Sequence, residues 1–114
     1  RDFVGNIFGF APNIYTKVPF WGKLEEHWSA SITEKHVKGD VTAYLFNWQN
    51  SKYSILLKVV NKDKLTFQGK IICNGKEVGK VYLTQYVNPT GVLLLGEWVE
   101  DDQNYNVLLE FINI

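Results

Sequence analysis

Aromatic and amide side chains recur at alternating positions of this sequence, and they are the residues best suited to bind a flat polar ligand. Tyr44 and Trp48 share one face of a strand, and Asn47 lies on the other face. Trp98 and Tyr105 flank an acidic stretch. Aromatic rings stack on groups such as nucleobases, and amides hydrogen-bond to their edges. We predict a stacking pocket whose ligand-binding residues are Tyr44, Asn47, Trp48, Gln85, Tyr86, Trp98, Tyr105 and Asn106. The competing interpretation is that these aromatics are core and incidental surface.

Residues that usually bind metals or act as nucleophiles are few and poorly grouped. His27 and His36 are nine positions apart, so a metal site would require them to converge across a hairpin. We expect two surface histidines instead, and no metal. Cys73 is the sole cysteine, which excludes an internal disulfide, and its alternation with apolar neighbours predicts a buried thiol.

Two glutamates are the remaining candidates for catalysis. Glu97 and Glu110 each interrupt an apolar run and would form an acid–base pair only if adjacent strands brought them together. Solvent-facing glutamates are the expected alternative. The sequence contains none of the glycine or histidine motifs of hydrolases, metalloproteases or phosphate-binding loops. We therefore predict no catalytic residues, no enzyme activity and no cofactor.

Charge is unevenly distributed along a chain whose net charge is zero. Residues 1–80 contain all 12 basic residues and 7 acidic ones, whereas residues 81–114 contain 5 acidic residues and no basic one. Such a bipolar surface favours head-to-tail self-association, although a solvated acidic loop would give the same pattern. We expect association that weakens with salt, which sedimentation at low and high salt would test. Arg1 is the sole arginine, and binding of duplex nucleic acid is not expected.

The elements that position these side chains are predicted to be β-strands. Apolar and polar residues alternate, and turn residues recur every ten to thirteen positions from residue 34 onwards. Asn74-Gly75 is typical of a two-residue hairpin turn. The pattern predicts seven strands in meander order, at residues 24–33, 40–48, 53–60, 64–73, 77–87, 92–99 and 105–112.

Two of these strands are apolar on both faces, because residues 93–95 and 107–109 are consecutive apolar residues. An open sheet would leave one apolar face wet, and no helix is predicted to cover it. Closure into an all-β, up-and-down antiparallel barrel of seven or eight strands removes the sheet edges. Gly69 and Gly96 fit the bends of such a barrel. We predict a lead-in at residues 1–22, with a short strand near residues 3–10, and a barrel domain at residues 23–114; a two-sheet sandwich is the alternative.

Two motifs resemble the strands of small calycin-like barrels. Residues 93–98 (LLLGEW) and 67–71 (FQGKI) look like the Leu-x-Gly-x-Trp and Phe-x-Gly-x-Ile strands of that family. More narrowly, residues 20–114 resemble the β-barrel sensor domain of bacterial anti-phage (CBASS) two-transmembrane cyclic-oligonucleotide effectors. Residues 20–28 (FWGKLEEHW) are similar to its entry strand. In that family, two membrane helices precede a barrel that binds a cyclic dinucleotide.

The resemblance implies a non-enzymatic sensor that binds a cyclic nucleotide and couples binding to self-association and to a removed membrane segment. The chain begins at Arg1 and has no Met, from which we expect an excised piece. The piece itself is expected to be soluble, at the cytoplasmic face of the bacterial inner membrane, with membrane contact only through a segment absent from this chain. Two alternatives stay open: an assembly barrel without a small ligand, and a carrier of a small apolar ligand.

Overall fold

The computed structural model describes residues 4–10, 26–89 and 91–112, and antiparallel β-strands make up most of them. Each strand pairs with its neighbours in sequence, and β1 also pairs with β8, so the sheet closes into a barrel. The predicted all-β up-and-down barrel is confirmed, with eight strands. Their bounds are β1 Val4–Phe10, β2 Glu26–Lys38, β3 Val41–Trp48, β4 Ser51–Asn61, β5 Thr66–Cys73, β6 Lys76–Asn88, β7 Gly91–Glu100 and β8 Gln103–Ile112.

Side chains that point inward from all eight strands fill the middle of the barrel. They alternate with outward-facing positions, as the period of two requires. Burying one such aliphatic side chain stabilises the fold by about 1.5–3 kcal/mol. The packed middle holds the two ends of the barrel in a fixed relation. The fully buried members of this core include Ile7, Ile32, Ile55, Ile71, Val81, Val107 and Leu109.

The strands β7 and β8 are apolar on both faces because they contribute to two clusters. Leu94 points into the main core and is 4% exposed. Leu93 and Leu108 point outward, yet they are only 9% and 8% exposed, and they pack with the partly buried Phe8 and Leu95. This outer apolar cluster, which spans β1, β7 and β8, accounts for the consecutive leucines.

Tight turns join β3 to β4, β5 to β6 and β7 to β8 at one end of the barrel. Asn74 and Gly75 have φ angles of 51° and 86°, as expected for the predicted hairpin turn. The Asn74 Oδ1 atom accepts a hydrogen bond from the Lys52 backbone N–H at 2.9 Å, which ties this turn to β4. Asp101 and Asp102 also have positive φ angles, of 51° and 61°. These turns place the acidic β7–β8 connection at this end.

The short strand predicted near residues 3–10 is present, and β2 ends later than predicted. Residues 4–10 form β1, which lies between β2 and β8 and supplies Ile7 to the core, whereas residues 11–22 of the predicted lead-in lie outside the described residues. Residues 34–38 were predicted as a turn, but they continue β2 to Lys38. A register shift between Ile32 and Glu34 keeps this longer strand paired with β3.

Candidate functional site

A pocket opens at the end of the barrel where the β3–β4 and β7–β8 turns lie. Its volume is about 220 Å³. Pockets for drug-sized ligands measure about 300–1,000 Å³, whereas a cavity of about 150 Å³ accepts benzene. The pocket therefore accommodates one ring-sized group rather than a whole dinucleotide. We call it the mouth pocket; its lining residues are Trp28, Phe46, Trp48, Tyr53, Trp98, Glu100, Asp101 and Tyr105.

Pairing between neighbouring strands brings the aromatic rings together. Phe46 on β3 is the cross-strand partner of Tyr53 on β4, and their rings stack with centroids 5.1 Å apart and planes 5° apart. The Trp28 ring lies 5.4 Å from Trp48 and 5.6 Å from Trp98. The planes of Trp28 and Trp98 are 78° apart, so these two rings form a corner. Contacts of this kind hold each ring in place before any ligand arrives.

Gly9 on β1 makes room for the Trp28 ring. The two residues are cross-strand partners, and a Cβ atom at position 9 would overlap the Trp28 indole. An inward glycine beside an inward aromatic is a recurrent device in curved sheets. Trp28 therefore reaches across to the other rings because position 9 has no side chain.

Glu100 brings a carboxylate to the wall of the mouth pocket. The Trp98 Nε1–H donates a hydrogen bond to Glu100 Oε1 at 2.8 Å, which orients both side chains. Asp101 follows in the β7–β8 turn and is exposed. Among the described residues that line the pocket, the charged ones are these two acids, and neither lysine nor arginine occurs. The described lining of the mouth pocket is therefore electronegative.

The Tyr53 hydroxyl is held in its neutral form. Desolvation by burial, a hydrogen bond with Cys73, and the charges of Cys73 and Glu100 raise the pKa of Tyr53 to about 12. Cys73, predicted to be buried, is only half-buried at this inward-facing position. Near neutral pH, Tyr53 therefore presents a neutral phenol to the pocket. Burial also raises the pKa of Tyr44, which lies deeper in the barrel.

Replacing Tyr53 with phenylalanine is expected to reduce the loss of stability at alkaline pH. A tyrosine in the unfolded chain ionises near pH 10, whereas folded Tyr53 ionises near pH 12. Its contribution to stability is therefore complete below pH 10 and is lost as the pH rises towards 12. Thermal unfolding at several pH values above about 9 should show a steeper fall of Tm for the wild type than for Tyr53→Phe. Tyr82→Phe, at an exposed outer position, is the matched control, and parallel curves for wild type and Tyr53→Phe would contradict this account.

The predicted ligand-binding residues are divided between the two faces of the barrel. Trp48, Trp98 and Tyr105 line the mouth pocket. Tyr44 and Gln85 occupy inward-facing positions nearer the opposite end, where Tyr44 packs 4.9 Å from an aromatic ring of β8. The structure therefore brings three of the eight predicted residues together at one site.

Asn47, Tyr86 and Asn106 lie on the outer surface of the barrel and do not line the mouth pocket. Strand alternation places Asn47 on the opposite face of β3 from Trp48, and Tyr86 is 45% exposed. The Nδ2 atom of Asn106 is buried and has no hydrogen-bond partner among the described residues. The polar edge of a ligand in the mouth pocket would therefore contact phenol and carboxylate groups instead of these amides.

Five pocket residues were absent from the predicted set. Three of them had a usable signal, because Trp28, Phe46 and Tyr53 lie on the faces of their strands that carry other large apolar side chains. The others depend on register and turn geometry, which single-strand patterns do not contain. The residues that sequence reasoning missed are Trp28, Phe46, Tyr53, Glu100 and Asp101.

The residues considered for acid–base or metal chemistry are not brought together in the described part of the chain. Glu97 and Glu110 each face a different partner across β7 and β8, so they are not opposite one another. The His36 Nε2 atom lies 2.8 Å from Glu34 Oε2 on the exposed surface. Residues 4–10, 26–89 and 91–112 contain no group of three or more potential metal ligands. The side chain of His27 lies outside the described residues.

The fold and the pocket define a class of protein: a small closed barrel of eight antiparallel strands with an aromatic, acidic pocket at one mouth. No known protein family, curated protein or solved structure matches this chain. The described strands and turns include no helix that is long and apolar enough to cross a membrane.

Proposed function

We propose that this protein is a non-enzymatic barrel that binds a small ligand by taking one ring-sized group into the mouth pocket. The observation that carries the proposal is the pocket itself, in which six aromatic side chains surround about 220 Å³. A packed core beneath the pocket and contacts between its rings fix the walls in advance. Such preorganisation favours binding, because fewer side chains must be ordered when the ligand enters.

A cyclic nucleotide is one candidate ligand, because a nucleobase would fill the pocket and stack on its rings. The phosphates would have to contact groups outside the pocket lining, since Glu100 and Asp101 are acidic. This candidate follows from the resemblance to calycin-like barrels and anti-phage effectors. The rest of that resemblance is proposed with it: a receptor in antiviral defence, at the cytoplasmic face of the bacterial inner membrane, which self-associates and acts through a membrane segment outside this chain.

Two other functions have less support. A carrier of a small apolar ligand needs a dry cavity in the lumen, but Ile55, Ile71 and Leu109 occupy the middle of the barrel. An assembly barrel without a small ligand agrees with the packed middle and with the outer apolar cluster. That function gives no reason for an aromatic pocket at the mouth.

Calorimetric titration with cyclic di- and trinucleotides and with ring-sized compounds such as adenine and indole tests the proposal. At least one compound should give heat, and Trp48→Ala should weaken its binding by about tenfold or more, because stacking on an aromatic residue contributes about 1–3 kcal/mol per base. Tyr86→Ala, on the outer face, is the matched control and should bind as the wild type does. If folded protein gives no heat with any compound, including the cations described below, the small-ligand function is wrong.

A further inference from the structure

The mouth pocket has a preference for charge as well as for shape. We propose that the group that enters it is an organic cation, a methylated ammonium carried by a small soluble molecule, held by the aromatic faces and by the carboxylates of Glu100 and Asp101. This inference rests on the proposed ligand-binding function and names the chemical class of the ligand.

The aromatic rings of the mouth pocket lie at distances and angles that suit a cation. A cation is attracted to the face of an aromatic ring when it lies within about 6 Å of the ring centroid, and tryptophan is the strongest partner. Trp28, Trp48, Tyr53 and Trp98 have centroids 5.4–6.5 Å from at least one other ring of this set. Their planes meet at angles between 45° and 78°. These four rings all line the mouth pocket, so a small group inside it would contact several of them at once.

The charged residues of the described pocket lining are both acidic. Glu100 is partly buried and is oriented by the Trp98 indole N–H, so its negative charge acts at the pocket wall in a medium less polar than water. The charge of Glu100 is the last of the causes that raise the pKa of Tyr53, another residue of the pocket lining. Asp101 adds a second carboxylate at the rim. These charges attract a cation and repel a phosphate.

The aromatic wall of the pocket favours a cation whose substituents are methyl groups. A primary ammonium has three N–H donors that need acceptors, and it is strongly hydrated. The pocket wall is mostly aromatic, and the Oε1 atom of Glu100 already accepts a hydrogen bond from Trp98. A methylated ammonium has few or no N–H donors and presents methyl groups to the rings. It therefore gives up fewer hydrogen bonds to water when it enters the pocket. The volume of about 220 Å³ suits a group of this size.

Matched ligands test the charge preference directly. Choline and tetramethylammonium are titrated into the protein beside 3,3-dimethylbutan-1-ol, the neutral analogue of choline in which carbon replaces the quaternary nitrogen. Tryptophan fluorescence and calorimetry report binding. Choline is expected to bind at least about tenfold more tightly than the neutral analogue, because aromatic faces and a partly buried carboxylate both favour the charged form.

Conservative variants assign this preference to the acidic wall. Glu100→Gln keeps the shape of the side chain and an oxygen that accepts from the Trp98 N–H, but it removes the charge, so choline should bind about tenfold more weakly. Asp101→Asn is the second variant, since asparagine tolerates the left-handed backbone at this position, where φ is 51°. Glu97→Gln, on the outer face of the same strand, is the control and should leave choline binding unchanged. Denaturant unfolding verifies that each variant is folded.

The outcomes separate this inference from the function on which it rests. If the neutral analogue binds as tightly as choline, or if Glu100→Gln binds choline as the wild type does, the cation inference is wrong and the ligand-binding function stands. If a cyclic nucleotide binds and no cation does, the same conclusion follows. If no cation, nucleotide or neutral ring compound binds to folded protein, both proposals are wrong.

Discussion

Replacing Trp98 with alanine is expected to lower the free energy of unfolding by about 3–5 kcal/mol, the usual range for removing a buried tryptophan. Trp98 is 5% exposed, and its ring lies 5.6 Å from Trp28 and 6.2 Å from Tyr53. The change also removes the N–H that bonds to Glu100. Loss of the ring would leave a cavity beneath the pocket and a half-buried carboxylate without its donor, so ligand binding should be lost together with stability.

Urea unfolding followed by circular dichroism measures this change in stability. Tyr82→Ala is the matched control, because Tyr82 is an aromatic residue on the neighbouring strand that is 42% exposed on the outer face. Its effect should stay within about 0.5 kcal/mol, as is usual at surface positions. A loss below about 1 kcal/mol for Trp98→Ala would contradict the packing described for this ring.

Gly96→Ala is expected to lower the free energy of unfolding by an amount at the upper end of the range of about 1–3 kcal/mol that overpacked sites show. Gly96 faces the barrel interior on β7, where β6 approaches closely. A Cβ atom there would overlap the backbone carbonyl oxygen of Tyr82 and would lie 3.0 Å from the Cα atom of Leu83. Backbone atoms cannot rotate away as a side chain can, so the two strands would have to separate and strain their hydrogen bonds.

The control for this prediction is Glu97→Ala, which adds no atom and lies at an exposed outward position next to Gly96. Chemical denaturation of both variants should show a lower free energy of unfolding for Gly96→Ala. For Glu97→Ala the free energy of unfolding should change by no more than about 0.5 kcal/mol. Equal stability of Gly96→Ala and the wild type would mean that β6 and β7 are farther apart than the structure shows.

Local alternation of residues was sufficient to predict the architecture of this protein. Strand period, the Asn74-Gly75 turn and the doubled apolar runs predicted a closed barrel in meander order, because each depends only on neighbours in the chain. The end of β2 was predicted too early: the polar residues 34–38 are typical of a turn, yet they form an exposed stretch of strand. The register shift beside Ile32 that permits this stretch leaves no local signature.

The candidate site was predicted only in part, for a related reason. Alternation assigns a residue to one of the two faces of its strand but does not say which face is inward, so the predicted set contained the inward Trp48 and Trp98 together with the outward Tyr86. It does not assign height along the barrel, which depends on the register of eight strands, so Tyr44 was grouped with residues of the other end. Asn47 shared a strand with Trp48 but faces outward, and Glu100 faces inward because β7 extends one residue beyond the predicted strand, to the position two after Trp98.

Nuclear magnetic resonance of the tryptophan indole N–H groups tests the central claim most directly. Nitrogen-15-labelled protein is titrated with choline and with each compound that gives heat in the calorimeter. The claim that the mouth pocket is the binding site predicts that the largest shifts occur at the indole signals of Trp28, Trp48 and Trp98 and at the backbone amides of Glu100 and Asp101. Shifts confined to outer-face residues, or the absence of any shift at these three indoles, would contradict it.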